Sequence, residues 1–436
     1  ESARNIIAVL LAPSDNQKKA LKDQDAWVNE AKELLKTSLG LKLKTRAKAL
    51  SSISDELWRF LLFSEFVFDL PGKLPEVLTN VPRAEPEAKL LVEDLCDLLR
   101  NDQRTQSLYI EKADSIEEDL NLKIICEQIN ELGERDTFSF EERVFLKQSI
   151  DAIKQEDSDR ARNIIQRHAH TVWAGKGEIQ AQWDLVQAAL NLIQACDDCD
   201  MQLGDYSRSQ EMLIEFYLGS MRECDRLQRE FEQIASCSIE EDFLEDIIYK
   251  AQGRYRRLIE SVQTLFIKHL EGSGWPPNNR LSNADVFDHL VAPMLQESGR
   301  RVAYFLVDAL RYELGVALQN QLSDEFRVEL KAAFAQLPTV TNVGMASLLP
   351  GASEKLEIEI TDDNLIPIID KIQIKSVSQR MNIFRKKYGQ RFDEMTLNDF
   401  IKSKSNEWLD YIKGCLFVFY NENKKLKNIY LNILIR

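Results

Sequence analysis

The sequence predicts a mostly α-helical N-terminal region followed by a partial α/β module built on a parallel sheet. Three observations lead to this prediction. Apolar residues recur with a helical period from residue 16 to about residue 271. The stretch EGSGWPPNNRLSNAD at 271–285 is rich in Gly, Pro and Asn and interrupts that period. Beyond it, segments typical of buried strands alternate with helical segments, as in α/β proteins.

These observations divide the 436 residues into four predicted parts. They are an α-helical array at 1–271, a linker at 272–284, a partial α/β domain at 285–420 and an atypical tail at 421–436. More than one domain is expected at this length. The hydrophobic fraction of 44% and the charged fraction of 29% are typical of an ordinary globular protein.

Composition argues against several classes of protein. The net charge of −15 disfavours direct binding to nucleic acid or to an acidic membrane face, and we interpret the basic strip GRYRRL (253–258) as a solvated helix face. Seven scattered cysteines argue against a disulfide framework, so we predict a reducing compartment and a cytoplasmic protein. The pair Cys196 and Cys199 continues a helical pattern, which argues against a metal-binding knuckle at this CxxC. No apolar run reaches the ~18 residues of a membrane helix.

Start and stop signals place the helices of the N-terminal region. DAWVNEAKELLKTSLG ends at Gly40, a natural C-cap, and SISDELWRFLLF has Ser54 as its expected N-cap and stops at LPGKLP (70–75). Fixed-period repeats are not visible, which favours an irregular array. Further helices are predicted at 87–101, 118–132, 139–154, 158–174, 178–201 and 207–234.

The α/β module begins with a helix at NADVFDHLVAPML, in which we interpret His289 as a helix-face residue. RVAYFLV is expected to be a buried strand and ALRYELGVALQNQL the helix that follows it. FRVELKAAFAQL (326–337) is expected to be a second strand, leading into a loop and a helix at TVTNVGMASLLPG. KLEIEI (355–360) and GCLFVFY (414–420) are further candidate strands.

The first candidate site residue is Asp308, which ends the apolar run VAYFLV. Ligands in an open α/β sheet collect beyond the carboxyl ends of the strands, where this carboxylate would project. A buried carboxylate needs a partner, and a divalent cation or a neighbouring Arg would serve. By itself the pattern also fits a plain helix N-cap.

The second candidate is Thr341 in PTVT, at or just before the start of a predicted helix. Free backbone N–H groups and the helix dipole favour a phosphate at such a position. A threonine hydroxyl becomes a nucleophile only when a metal or a base removes its proton. The alternative is an ordinary N-cap threonine.

Together the segments VDALRYE (307–313) and LPTVTNVGMASLLPG (337–351) resemble the PglZ domain of BREX phage-defence systems, in the alkaline phosphatase superfamily. The long helical region before them is also similar to PglZ proteins. The resemblance implies a metal-dependent phosphatase or phosphodiesterase in which Asp308 binds a metal and Thr341 is a nucleophile that also contacts metal. It implies zinc as the usual metal, a phosphoester substrate and other BREX components as partners. Arg311 matches the pattern, with ion pairing or phosphate contact as its expected role.

The superfamily completes its metal site with Asp and His residues downstream of the nucleophile, whereas all four histidines of this chain precede Asp308. The chain opens with ESARN and no Met, and its tail 421–436 is dominated by Asn, Lys, Leu and Ile. We therefore expect a truncated or altered module with an incomplete metal site. The alternative hypothesis is a non-catalytic α-helical interaction scaffold of a defence complex.

Overall fold

A computed structural model describes most of the chain, and its contacts group the chain into two compact units. The first unit comprises Glu1–Gln194 and Gln228–Tyr255, and the second comprises Ala195–Leu227 and Arg256–Arg436. The described residues are 2–22, 26–44, 49–127, 129, 131–237, 242–277, 279–307, 310–361, 364–402, 416–420 and 434–435. The division of the chain at residues 271, 284 and 420 remains a prediction.

The first unit is an array of helices around an apolar interior, as the helical period predicts. Its α-helices are Ala3–Leu11, Asp15–Lys22, Ala26–Leu39, Leu50–Asp69, Lys89–Asn101, Gln106–Asp119, Leu122–Ile125, Glu141–Lys154, Ser158–His168 and parts of Ile179–Tyr206, Arg222–Ser236 and Asp242–Ser273, with 3-10 turns at Glu76–Leu78 and Pro86–Ala88. The helix Leu50–Asp69 lies deepest, and Trp58 and Phe63 are fully buried on it. The helix that the sequence predicts to stop at LPGKLP (70–75) therefore forms, and it is buried.

Helix ends follow the sequence signals in one case and depart from them in another. Gly40 follows the helix Ala26–Leu39 and has a left-handed φ of 77°, a conformation that is strained for residues with a side chain. The predicted C-cap is therefore confirmed. The predicted N-cap Ser54 is wrong. The helix begins at Leu50, and the Ser54 hydroxyl instead donates to the Leu11 carbonyl oxygen at 3.4 Å.

The helix predicted at 118–132 is also wrong in its bounds. The structure has a helix at Gln106–Asp119, a left-handed break at Asn121 (φ 49°) and a single turn at Leu122–Ile125. Asparagine tolerates this backbone conformation, so the chain can reverse there without glycine. The helix predicted at 158–174 ends early, at His168.

The second unit combines the remaining helices with two small sheets. Its helical elements are the rest of Ile179–Tyr206, Gln210–Phe216, a π-helical turn at Tyr217–Met221, parts of Arg222–Ser236 and Asp242–Ser273, Asn283–Asp285, a π-helical segment at Val286–Val291, Ala292–Gln296, Tyr312–Leu322, Thr341–Ser347, Ala352–Lys355, Val377–Tyr388, the 3-10 turn Gly389–Arg391 and Leu397–Lys402. Within the described residues, no helix has the length and apolar character needed to cross a membrane.

The strands are β1 (Val302–Phe305), β2 (Leu356–Thr361), β3 (Asn364–Ile369), β4 (Ile372–Gln373), β5 (Phe392–Thr396), β6 (Leu416–Tyr420) and β7 (Leu434–Ile435). The larger sheet has the order β5-β6-β1-β7, with β1 and β5 parallel to β6 and β7 antiparallel to β1. The predicted parallel sheet and its strands at 301–307 and 414–420 are therefore confirmed. The predicted strand at 355–360 is β2, which belongs to a separate antiparallel sheet, β2-β3-β4.

Both faces of the larger sheet are covered by apolar side chains, as is usual for parallel strands. On one face Tyr304 packs against Phe287 and Phe384, with ring centroids 5.6 and 6.5 Å away. On the other face Phe305 stacks on Phe419 with centroids 4.2 Å apart. This alternation explains why β1 and β6 are almost continuously apolar.

The strand expected at 326–337 does not form. The described chain there pairs with other backbone only through an isolated bridge between Phe334 and Ser282. Phe326 remains 49% exposed, so the apolar pattern of this segment does not reflect a buried strand. As a result, β1 takes β6 as its parallel neighbour, and the segment before Thr341 is not part of a sheet.

Candidate functional site

The segment that contains Asp308 joins the sheet to a helix. The backbone N–H of Leu306 donates to the Phe419 carbonyl oxygen at 2.9 Å, so the contact between β1 and β6 extends one residue beyond β1. The helix Tyr312–Leu322 then starts with Arg311 as its extended N-cap. Asp308 itself lies outside the described residues, so its role remains a prediction.

Thr341 is the first residue of the helix Thr341–Ser347 and lies on the surface. The N-cap position belongs to Val340, which has extended backbone angles, and no side chain caps this helix. Within the described part of the chain, the Thr341 hydroxyl has no hydrogen-bond partner. The ordinary capping role is therefore not the one this threonine plays, and its hydroxyl stays available.

Two contacts hold this helix at its ends. The Tyr304 hydroxyl of β1 donates to the carbonyl oxygen of Leu348 at 3.2 Å, just past the C-terminal end. At the N-terminal end, the Asn342 amide donates to the carbonyl oxygen of Leu365 on β3. The helix is thus tied to both sheets of the second unit, and Thr341 is placed by that frame.

The LLPG sequence that follows the helix has a structural role. Gly351 has a φ of 84°, a conformation that L side chains rarely adopt. Its N–H donates to both carboxylate oxygens of Asp288, at 2.8 and 3.0 Å, and the Ser353 hydroxyl donates to the same carboxylate at 2.9 Å. Asp288 is therefore committed to closing this turn. Nearby His289 is 63% exposed on its helical segment, as the sequence predicts.

The residues behind Arg311 form a group that the sequence did not suggest. The Arg311 guanidinium lies 3.7 Å from the carboxylate of buried Glu313. The hydroxyl of Tyr217 donates to buried Asp225 at 2.9 Å. Burial and the nearby Asp225 raise the pKa of Tyr217, and the charges of Arg311 and Glu313 also act on it. In the sequence, Tyr217 and Asp225 are ordinary positions of the helical pattern at 207–234, and nothing there predicts their hydrogen bond or their place near Arg311.

Cysteines provide a second group that spacing alone did not reveal. Cys196 and Cys199 lie on one helix, as predicted. The sulfur of Cys224, on the helix Arg222–Ser236, lies 3.3 Å from that of Cys199. All three thiols are buried. The hydrogen bond with Cys196, together with burial, raises the pKa of Cys224 to about 12, although the hydrogen bond with Cys199 acts in the opposite direction. The thiol form is therefore favoured at neutral pH.

The expected metal site can be compared with the described side chains. None of the ranges that the structure describes contains a group of three or more His, Cys, Asp or Glu residues arranged to hold a metal ion. Thr341 offers one available oxygen donor, and the carboxylate expected beside it belongs to Asp308, outside those ranges. The donor set for a metal is thus only partly represented, and the pairing of Asp308 with Thr341 stays a prediction.

Comparison with known proteins identifies the region around these residues. Residues 286–434 match the family model of the BREX system PglZ alkaline phosphatase-like domain. A stretch of 140 residues, 31% of the chain, is 29% identical to the alkaline phosphatase-like protein BrxZ of Escherichia coli O9:H4 (strain HS). Over 390 residues, 86% of the chain, identity is 22% to the alkaline phosphatase-like protein PglZ of Bacillus cereus (strain H3081.97). The resemblance to the PglZ family is therefore confirmed.

The matches cover a limited part of those relatives. The chain spans 16% of the length of the Escherichia coli protein and 42% of the Bacillus cereus protein, so less than half of either. No solved structure matches the chain. The alkaline phosphatase-like class agrees with the parallel sheet of the second unit, and its members typically use divalent metals.

Proposed function

We propose that this chain is a PglZ-type protein of a BREX phage-defence system and that its second unit carries a metal-dependent phosphatase or phosphodiesterase-type domain whose metal site is incomplete in this chain. The observation that carries the proposal is the exposed Thr341 hydroxyl, uncapped and without a partner among the described residues, within the matched region. The Thr341 oxygen would attack phosphorus and form a phosphoryl-threonine, with departure of the alcohol. Water would then release phosphate or a monoester.

The frame around Thr341 supports this assignment. Tyr304 and Asn342 hold both ends of the Thr341–Ser347 helix, so the hydroxyl keeps one position when a substrate arrives. Arg311 is exposed at the start of the preceding helix, Tyr312–Leu322, where its guanidinium could contact a phosphate. Its partner Glu313 is buried and would orient it.

Asp308 and Thr341 would hold a divalent metal, with zinc as the proposed ion. When bound, such an ion supplies Lewis acidity to the phosphoester and lowers the pKa of a coordinated hydroxyl. We further propose that the chain acts in the cytoplasm together with other BREX components and on a phosphoester substrate. These proposals follow from the PglZ match and from the negative net charge, which disfavours unaided binding to DNA.

Metal content and turnover test the proposal together. The 436-residue chain is incubated with zinc or manganese, desalted, and assayed for bound metal and for hydrolysis of bis(p-nitrophenyl) phosphate. Asp308→Ala should lose the bound metal. Thr341→Ala should remove whatever turnover the incomplete site supports, because loss of a nucleophile costs about 10⁶ in kcat in a well-studied enzyme. Thr341→Ser should keep part of the turnover because it keeps the hydroxyl.

The matched control is Thr339→Ala, two residues earlier and also exposed. It should keep both metal and turnover. Equal loss in Thr339→Ala and Thr341→Ala would contradict the assignment of the nucleophile. Metal that is retained by Asp308→Ala would contradict the role of that residue. A native chain with neither metal nor turnover agrees with the incomplete metal site, and robust turnover that Thr341→Ala abolishes would contradict that incompleteness. Metal that the native chain binds and Asp308→Ala loses favours the hydrolase over the alternative function, a non-catalytic helical scaffold of a defence complex.

A further inference from the structure

We propose that the first unit contains a binding site for a small phosphate-class oxyanion, in a cavity between the helices Glu141–Lys154 and Ser158–His168. The cavity has a volume of about 290 Å³. It lies within residues 133–168, far along the chain from the matched region 286–434. The proposal is therefore independent of the hydrolase function and of Thr341.

The cavity is rich in hydrogen-bond donors. Arg160, Asn163 and Arg167 line it from one helix, at spacings of three and four residues that place them on one face. Gln148 lines it from the opposite helix. No Asp or Glu is among the described residues of the lining. Guanidinium groups donate in a fork that matches the oxygens of a phosphate.

Both arginines can turn to a ligand at little cost. Arg160 makes no ion pair within the described ranges. Arg167 pairs with Glu134 at 2.9 Å, but the two side chains are 50% and 74% exposed. Exposed ion pairs of this kind contribute about 0–1 kcal/mol, so a bound oxyanion can replace Glu134 as the partner of Arg167.

A buried histidine forms one wall of the cavity. His168 is 3% exposed, and its Nδ1 is hydrogen-bonded to the carboxylate of Asp136. Because a carboxylate accepts, Nδ1 carries the proton that joins His168 to Asp136. The ring stacks on Phe145 with centroids 3.7 Å apart, so its orientation is set.

The backbone at Asp136 holds this pair in place. Its carbonyl oxygen accepts from the Arg100 guanidinium at 3.0 Å and from the Trp173 indole at 2.9 Å. The Asp136–His168 pair thus lies on a rigid frame, which favours a preorganised site. The cavity volume is near the lower end for ligand pockets, which are about 300–1,000 Å³. Inorganic phosphate, pyrophosphate or a small phosphate ester suits this volume, and a duplex does not.

Calorimetry on the 436-residue chain tests the site, with inorganic phosphate, pyrophosphate and adenosine monophosphate as the three probes. We expect saturable binding of at least one probe. The double variant Arg160→Gln, Arg167→Gln should weaken it by about tenfold or more, since two charged hydrogen-bond donors are lost. Tighter binding of the monophosphate than of the inorganic probes would identify an ester as the ligand, and the reverse would identify the free oxyanion.

Two control variants distinguish this site from a general effect of lost charge and from the proposed hydrolase site. Arg162→Gln removes a charge from the same helix outside the cavity, where Arg162 pairs with Asp159, and should leave the affinity unchanged. Thr341→Ala should also leave it unchanged, because that residue belongs to the proposed hydrolase site. Binding that survives the double arginine variant, or falls equally in Arg162→Gln, would overturn the proposal, as would absence of binding to all three probes by native protein.

Discussion

The two units differ in the interactions that their buried side chains make. In the first unit, the fully buried carboxylate of Glu65 accepts from Arg100 at 2.8 Å, from Arg135 at 3.0 Å and from the Thr137 hydroxyl at 3.0 Å. Below the sheet of the second unit, the rings of Phe287, Tyr304, Phe384, Phe392 and Tyr388 pack edge to face or stacked. A network of buried ion pairs thus lies within the apolar interior of the first unit, whereas aromatic packing dominates the core beside the sheet of the second unit.

The difference shows where charge is structural and where it is available for chemistry. Around Glu65 each buried charge is satisfied by two or more partners, so these residues cannot easily serve a ligand. In the second unit the core beside the larger sheet is apolar, and buried Asp225 and Glu313 are not part of it. The Thr341 hydroxyl and the Arg311 guanidinium lie at the surface. Buried charge in the first unit therefore indicates stability, with the cavity beside His168 as the exception that we propose to be a site.

The largest effect should come from breaking the Glu65 network. Glu65→Ala leaves the Arg100 guanidinium buried without its main partner, and removal of one member of a buried ion pair costs about 3–5 kcal/mol. Amide hydrogen exchange followed by mass spectrometry should show faster exchange in the first unit, beginning with the helices Leu50–Asp69 and Lys89–Asn101.

The control for this prediction is Arg162→Gln, which breaks an exposed pair and should change the free energy of unfolding by about 0.5 kcal/mol or less. If Glu65→Ala were no more destabilising than Arg162→Gln, the contrast between the buried ion pairs of the first unit and the aromatic packing of the second would fail.

A pH-dependent effect of intermediate size is expected at Glu142, which is buried and accepts from Thr171 at 2.8 Å and from Trp183 at 2.7 Å. Burial, followed by the charge of Asp136, raises the pKa of Glu142 to about 7. The native state then binds more protons than the unfolded state between about pH 4.5 and 7, so stability falls as pH rises through that window. The loss amounts to about 3 kcal/mol at most.

Glu142→Gln keeps the shape and one acceptor oxygen, which can still accept from Trp183, but it cannot ionise. Its stability relative to native protein should therefore rise between pH 4.5 and pH 8, as measured by urea unfolding at a series of pH values. Glu33→Gln, at an exposed position with an ion pair to Lys36, should give a nearly flat difference over the same range. A flat difference for Glu142→Gln would contradict the proton-binding assignment.

The smallest effect is expected from Tyr304→Phe, which removes the hydroxyl that donates to the Leu348 carbonyl oxygen and leaves the ring packing intact. The expected cost is about 1 kcal/mol. Hydrogen exchange should rise in the helix Thr341–Ser347 and stay unchanged in the first unit. Tyr249→Phe, at a residue that is 79% exposed, should have no such effect. Faster exchange in both units would argue against a local tie between β1 and this helix.

Elements with strong local signals were predictable. Gly40 ends its helix because a left-handed residue after an apolar stripe favours glycine. The strands at 302–305 and 416–420 follow from short apolar runs that a sheet covered on both faces requires. The segment at 326–337 also contains apolar residues spaced as in a strand, but no described strand lies beside it. Pairing between strands is a property of the whole fold.

The candidate site was predictable only in part. The motifs at 307–313 and 337–351 pointed to the PglZ family, and the comparison with known proteins confirms this. The availability of the Thr341 hydroxyl could not be inferred, since an N-cap and a free hydroxyl look alike in a sequence. The Tyr217–Asp225 pair beside Arg311 was also hidden, because its members are separated from that arginine by more than one helix.

By itself, the order of the amino acids determined the helical period and the change to alternating strands and helices after the Gly- and Pro-rich stretch. It also determined the resemblance of the α/β module to the PglZ family. These features depend on neighbours in the chain, whose spacing sets which side chains share a face. Only the tertiary structure decided that Arg160, Arg167 and His168 line one cavity, that Arg100 and Arg135 meet at Glu65, and that Cys224 lies against Cys199. Such contacts join distant residues, and their energies exist only once the helices have packed.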